Sequence, residues 1–211
     1  MKNNYSKIFI ILLAINITFL LVSNIITSKL ILIFGLVFTA GDFLFPITYI
    51  LNDVFAEVYG YEKTKLVVIL SFICNLIMVT IFYITILLPY PDYWLNQEGY
   101  MNILLSTPRI LLGSFLSYTI GSIVNAKILN KIKFKNKNSK VYQRTILSSL
   151  IGELVDTVIF ITITFIGTIT MSELIKLVID VYILKILIEI VFTPVTCIVI
   201  NKIKQIEERM A

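Results

Sequence analysis

The apolar residues of the chain fall in several long stretches separated by short polar segments, each stretch close to the roughly 20 residues that a helix needs to cross about 30 Å of hydrocarbon. This pattern predicts six membrane-spanning helices, at about Ser6 to Ile31, Phe43 to Tyr59, Leu66 to Leu88, Ile110 to Leu129, Thr145 to Gly167 and Leu174 to Ile203. The expected fold is an all-α integral membrane protein of about six transmembrane helices with both termini cytoplasmic. It forms one domain over residues 1–211, two three-helix halves joined by a basic cytoplasmic loop at 130–142.

The second span has two readings, because Leu30 to Leu51 is also apolar enough for a helix. A helix starting at Leu30 leaves Asp53 and Glu57 at its cytoplasmic end. Alternatively Gly35 to Gly41 forms a turn and the helix starts near Phe43, with Asp42 as its N-cap. The second reading is preferred, since Gly35 and Gly41 bracket a β-branched stretch that is a poor mid-helix sequence. It places Asp53 deep in the membrane.

Composition supports the membrane reading: 58% of the 211 residues are hydrophobic and 15% charged, and the mean hydropathy is +0.92. The apolar run from Ile8 to Ile26 follows Lys2 and Lys7 but is too long for a signal-peptide core. It also carries Asn16, Thr18, Ser23 and Asn24 and lacks a small-x-small cleavage site, so it reads as a retained first helix. Cys74 and Cys197 each sit inside an apolar stretch and suggest packing, not a disulfide.

A net charge of +5 does not indicate nucleic acid, because the basic residues fall in short inter-span segments and not on an amphipathic face. Six crossings with both termini inside put 14 of the 18 Lys and Arg residues on one side, as the positive-inside rule requires. Lys29, Arg109 and Lys176 lie near the outer ends and Lys185 inside a helix. The outer loop Pro89 to Pro108 carries Tyr90, Tyr93, Trp94 and Tyr100, which suit an interfacial aromatic belt or the cover of a substrate entrance.

Ionisable groups inside a bilayer are costly, so each calls for a partner or a role. Asp53 and Glu57, four apart, share one helix face, as do Glu153 and Asp156, three apart. With a rise of about 1.5 Å per residue, Asp53 lies roughly 15 Å from Phe43 and the second pair roughly 12 to 17 Å from Thr145, so both pairs fall near the midplane. Lys185 is the one deep base available to these acids and is expected to pair with Glu189 within its own helix. Asp180 has no assigned role, and Arg109 is an interfacial cation or a substrate contact. Pro46 and Pro194 each remove a helical hydrogen bond and free carbonyls that face a cavity or are re-satisfied by neighbours.

No catalytic constellation is visible: histidine is absent, and there is no GxSxG, no Walker motif and no cluster with metal-ligand spacing. Neither an enzymatic activity, a bound metal nor a cofactor is expected.

Taken in order along the chain, Phe45 Pro46 Ile47 Thr48 Tyr49 Ile50, Asp53 Val54 Phe55 Ala56 Glu57 Val58 Tyr59 Gly60 Tyr61, Thr107 Pro108 Arg109 Ile110, Gly152 Glu153 Leu154 Val155 Asp156 Thr157 and Phe192 Thr193 Pro194 resemble the queuosine precursor transporter family, also known as the vitamin uptake transporter family. The resemblance covers most of the chain, from Asn24 to about Lys204. Glu153 departs from it, as Gln is expected before the Leu-Val-Asp-Thr segment.

The resemblance implies uptake across the cell (plasma or inner) membrane of 7-deazaguanine precursors of the queuosine base of tRNA: 7-cyano-7-deazaguanine, 7-aminomethyl-7-deazaguanine or queuine. A guanine-like edge offers N1–H and an exocyclic amine side by side, which an ionised carboxylate accepts as a charge-assisted pair. Asp53 or Asp156 is expected to read that edge, with Glu57 and Glu153 in supporting polar or proton-coupling roles. Tyr49 or Phe45 would stack on the heterocycle. The competing reading is the substrate-binding membrane module of an energy-coupling-factor vitamin importer, whose Ala-x3-Ala pattern is lacking in the first span, where Ala14 stands alone. The sequence leaves the oligomeric state open, a homo-oligomer included.

Overall fold

The computed structural model describes residues 5–135 and 141–210. Helix α1 (Lys7–Ile26) is followed by a hairpin of β1 (Leu30–Ile33) and β2 (Leu36–Thr39), a 3-10 turn (Ala40–Leu44), α2 (Phe45–Val54) and a π-helical turn (Phe55–Tyr59). Then come α3 (Gly60–Leu87), the short α4 (Gln97–Leu104), α5 (Ser106–Lys135), α6 (Val141–Phe165) and α7 (Met171–Met210). Apart from the hairpin and an isolated bridge between Ile166 and Ile169, the regular structure of the described residues is helical.

Four helical runs among the described residues are long and apolar enough to cross a membrane: Lys7–Ile26, Ile50–Leu87, Gln97–Gly121 and Met171–Arg209. The second is not one uniform helix, because Gly60, at φ 78° and ψ 176°, breaks it in a conformation that only glycine adopts without strain. Large apolar side chains such as Ile10, Ile11, Leu76, Ile77 and Ile190 are exposed on these helices, as lipid-facing residues would be.

The helix start favoured by sequence holds to within two residues, but the segment before it is not the expected turn. Leu30 to Thr39 is a run of branched and aromatic residues with Phe34-Gly35 at its centre, both at positive φ (53° and 81°), as two-residue hairpin turns of the mirror types require. The first span is correspondingly shorter than expected, ending at Ile26. Asp42 does not cap α2; its carboxylate is buried and accepts from the Thr39 N–H at 2.8 Å, so it fastens the exit of the hairpin. With its π turn, α2 spans Phe45–Tyr59, roughly 22 Å of rise, and the 3-10 turn before it adds roughly 10 Å toward a full hydrocarbon crossing.

Residues of the chain group into two compact units. The first combines α1, the 3-10 turn, α2, the π turn, α3, α4 and α7 from Ile188 onward. Ser6 caps α1 by accepting from the Phe9 N–H at 3.0 Å. A polar seam joins α1 to α3: the Asn16 amide donates to Ser71 Oγ at 3.2 Å, and the Asn24 amide to that of Asn75. These asparagines, misplaced for a lipid-facing helix, are interhelical glue. Phe9, Leu51, Phe55 and Val67 form the apolar centre of this unit.

Gly41 is held where α1 ends, and a Cβ added there would stand 2.1 Å from Thr27 Oγ1 and 3.0 Å from the Ser23 carbonyl. Gly41→Ala is therefore expected to destabilise the protein by about 1 to 3 kcal/mol. Adding Thr27→Ala should recover part of that loss. Thermal melting in detergent of the two single variants and the double variant checks this, and strictly additive losses would rule the contact out as the cause.

The second unit contains the hairpin from Leu30 to Phe38, α5, α6 and α7 up to Leu187. Its core is Phe38, Ile110, Phe160, Ile161, Phe165, Leu174, Leu177 and Val181. The buried Asp180 carboxylate accepts from the Val37 N–H at 2.8 Å, satisfying an edge donor of the hairpin that lipid would leave orphaned. That gives Asp180 the role sequence left open. Helix α5 ends later and α6 begins earlier than expected, so of the basic loop expected at 130–142 only 136–140 lies outside the described residues.

Candidate functional site

In the first unit, α2 with its π turn and the end of α7 line an open cavity of about 450 Å³, formed by Asp53, Glu57, Thr193, Thr196, Cys197, Ile200, Asn201 and Lys204. The α7 residues follow the spacing i, i+3, i+4, i+7, i+8, i+11, which places them on one helix face. Pro194 lies within this stretch of α7, next to Thr193, and cannot donate to the helical ladder. The flanking hydroxyls bond backward, Thr193 Oγ1 donating to the Glu189 carbonyl at 2.5 Å and Thr196 Oγ1 to the Phe192 carbonyl at 3.0 Å. With their protons engaged, both hydroxyl oxygens are left as acceptors.

The carboxylates outnumber the cations here. Asp53 has Glu57 on its own stretch and Glu189 on α7 as like-charged neighbours, and among the described residues it has neither a hydrogen bond nor an ion pair. Glu57 faces Lys204 Nζ at 3.8 Å, beyond direct hydrogen-bond distance. One turn along α7, Glu207 accepts from Tyr59 Oη at 2.6 Å and from the Ser6 hydroxyl, fastening the end of α7 to the π turn and to the start of α1.

A second cavity of about 410 Å³ lies within the same unit, lined by Tyr5, Tyr59, Glu62, Lys63 and Leu66. Its ammonium, Lys63 Nζ, stands 5.9, 5.7 and 5.5 Å from the ring centres of Tyr5, Phe9 and Tyr59.

In the second unit the acids are differently placed. Asp156 forms a 2.6 Å ion pair with Lys185, whose side chain is 2% exposed against 25% for the carboxylate. The intrahelical pairing of Lys185 with Glu189 expected from spacing is thus replaced by an interhelical one, α7 to α6. Gly121 of α5 lies so close that an added Cβ would be 3.0 Å from the Asp156 Cβ. Thr157 Oγ1 donates to the Glu153 carbonyl at 2.8 Å. The Arg109 guanidinium donates to the carbonyls of Ile163 and Ile166, the acceptors left open at the end of α6.

Of the residues expected at the site, Asp53 and Glu57 meet in the first unit, and Glu153, Asp156 and Arg109 belong to the second. Phe45 and Tyr49 lie on α2, with side chains outside the described set. Sequence reading missed Thr193, Thr196, Asn201 and Lys204 as cavity residues. Their one-face spacing around Pro194 was the available signal.

These features define a multi-pass α-helical membrane protein with an acidic, hydroxyl-lined cavity, and no metal-binding cluster is found among the described residues. The model of the family described as "Putative vitamin uptake transporter" matches residues 39–199, and the chain belongs to that family, whose members are membrane transporters and not enzymes. It is 22% identical over 173 residues to the "Probable queuosine precursor transporter" of Bacillus subtilis (strain 168), covering 82% of this chain and 76% of that protein. It is 24% identical over 143 residues to the "Queuosine precursor transporter" of Escherichia coli (strain K12), covering 68% of this chain and 62%, less than two thirds, of that one. No solved structure matches.

Proposed function

We propose that the protein imports 7-deazaguanine precursors of queuosine across the cell membrane, with six crossings and both termini cytoplasmic, and that Asp53 reads the guanine edge of the substrate. The observation that carries this reading is the Asp53 carboxylate, without a hydrogen bond or ion pair among the described residues, in a cavity of about 450 Å³, whereas Asp156 is held by Lys185 at 2.6 Å. Asp53 can accept N1–H and the exocyclic amine together, a bidentate charge-assisted pair. Asn201 offers both a donor and an acceptor for the remaining ring atoms, and the Thr193 and Thr196 oxygens offer acceptors. The cavity is within the size range of small-molecule sites.

The names of the two relatives support the substrate class, and the basic segments gathered on one side of a six-span topology support the orientation. In this reading Glu57 supports the substrate beside Asp53 and Phe45 or Tyr49 stacks on its ring, while Arg109 and Asp156 are engaged by protein partners within the second unit. The test is to express the protein in cells unable to make queuosine, supply each precursor at low concentration and measure queuosine in tRNA. Restoration by at least one precursor is expected. Failure with all three, with the protein present in the membrane, overturns the reading.

A further inference from the structure

Two ion pairs among the described residues differ in kind. Lys185 and Asp156 are in contact at 2.6 Å with the ammonium buried, whereas Lys204 and Glu57 are 3.8 Å apart with side chains 42% and 65% exposed. A pair of the second sort is held weakly, because water competes for both partners and two flexible side chains must be ordered to form it. The backbone carrying Lys204 is nevertheless fixed, since Glu207, three residues on, is bonded to Tyr59 Oη at 2.6 Å and to Ser6. The cavity therefore has a cation on a long stem whose root is anchored beside the carboxylate it visits.

Charge in the cavity is unbalanced even with that cation present. Asp53 and Glu57 line the cavity with one base among the described residues, Lys204, and Glu189 is a further like-charged neighbour of Asp53. Like-charged carboxylates favour a ligand that brings positive charge, most of all where the field is poorly screened. Asp53 and Glu57 are four residues apart, roughly 6 Å of helix rise, so one bicyclic ligand can span both.

We infer that Lys204 is a resident, displaceable counter-ion of Glu57 and sets the charge specificity of the cavity: a substrate ammonium takes its place on Glu57 while Asp53 holds the guanine edge. The cavity then favours 7-deazaguanines that carry an amine over those whose side group is neutral. This rests on the transport function proposed above and adds to it a residue and a preference. Lys204 acts by competing with the ligand. Removing its charge strengthens binding of the amine, opposite to the loss expected from removing an ordinary substrate contact.

The experiment measures uptake of labelled 7-aminomethyl-7-deazaguanine and 7-cyano-7-deazaguanine by wild type, Lys204→Gln, Lys204→Arg and Glu57→Gln, each normalised to protein in the membrane. The readout is the half-saturating concentration of the nitrile divided by that of the amine. Lys204→Gln is expected to raise this ratio roughly two- to fivefold, the range that an exposed ion pair converts to. Lys204→Arg, which retains the charge, should keep it near wild type, and Glu57→Gln should lower it. An unchanged or lowered ratio in Lys204→Gln overturns the inference while leaving the transport function standing. If Lys204→Gln does not reach the membrane, Glu57→Gln decides, and an unchanged ratio there overturns it equally. If wild type takes up neither compound, the substrate reading itself fails and the inference with it.

Discussion

Asp53→Asn is expected to lower precursor uptake by roughly 100-fold or more while leaving the amount of protein in the membrane unchanged. The substitution keeps the shape of the side chain and changes its hydrogen bonding. A carboxylate accepts from both N1–H and the exocyclic amine, whereas an amide accepts one and points its own NH2 at the other donor. The site loses a charge-assisted pair and gains an opposed pair of donors, worth about 3 kcal/mol together. Asp53 has no ion-pair partner among the described residues, so the protein itself loses little by the change. Radiolabelled uptake set against immunoblots of the membrane fraction measures the two quantities separately. Wild-type uptake by this variant would exclude Asp53 as the reader of the guanine edge.

That prediction depends on a helix start that was partly legible in the sequence. The weakness of Gly35 to Gly41 as helix interior was visible, and it moved the start of the second helix to within two residues of Phe45. The hairpin was not visible, because a short apolar run has the same appearance whether it is a buried strand or a piece of helix. Nothing local distinguishes Leu30 to Ile33 from the end of α1 except the Phe34-Gly35 turn, and Phe34 is an unusual residue at positive φ. The roles of Asp42 and Asp180 could not be read for the same reason: each carboxylate serves a backbone N–H of a hairpin that sequence had not identified.

The cavity shows the same division. The i, i+4 spacing of Asp53 and Glu57 puts them on a shared face from sequence alone, because helix periodicity is local. The α7 face from Thr193 to Lys204 obeys the same periodicity, but its polar positions are diluted by Cys197 and Ile200, and Lys204 was accounted for by the positive-inside rule. Partner choice was the illegible part. Glu189 is the nearest acid to Lys185 in sequence, yet the ammonium pairs with Asp156, 29 positions away. Spacing along one helix states which groups can meet, and only the packing of a second helix decides which do.

The Lys185–Asp156 pair is expected to be structural, and to show it through the difference between breaking it and removing it. Lys185→Met leaves the Asp156 carboxylate, 25% exposed, without the ammonium that it touches at 2.6 Å, and should cost about 3 to 5 kcal/mol. Replacing both partners, Lys185→Met with Asp156→Leu, removes the stranded charge and puts apolar volume in its place. The double variant should recover most of the loss, because the desolvation penalty of two ions disappears with the ions. Melting temperatures in detergent test this: a drop of several degrees for the single variant and a near-wild-type value for the double are expected. A double variant less stable than either single one would contradict a simple charge-balancing pair. Uptake adds the functional half of the test. If Asp156 serves to neutralise Lys185, the double variant transports at a rate set by how much folded protein reaches the membrane. Asp53→Asn, equally well folded, does not.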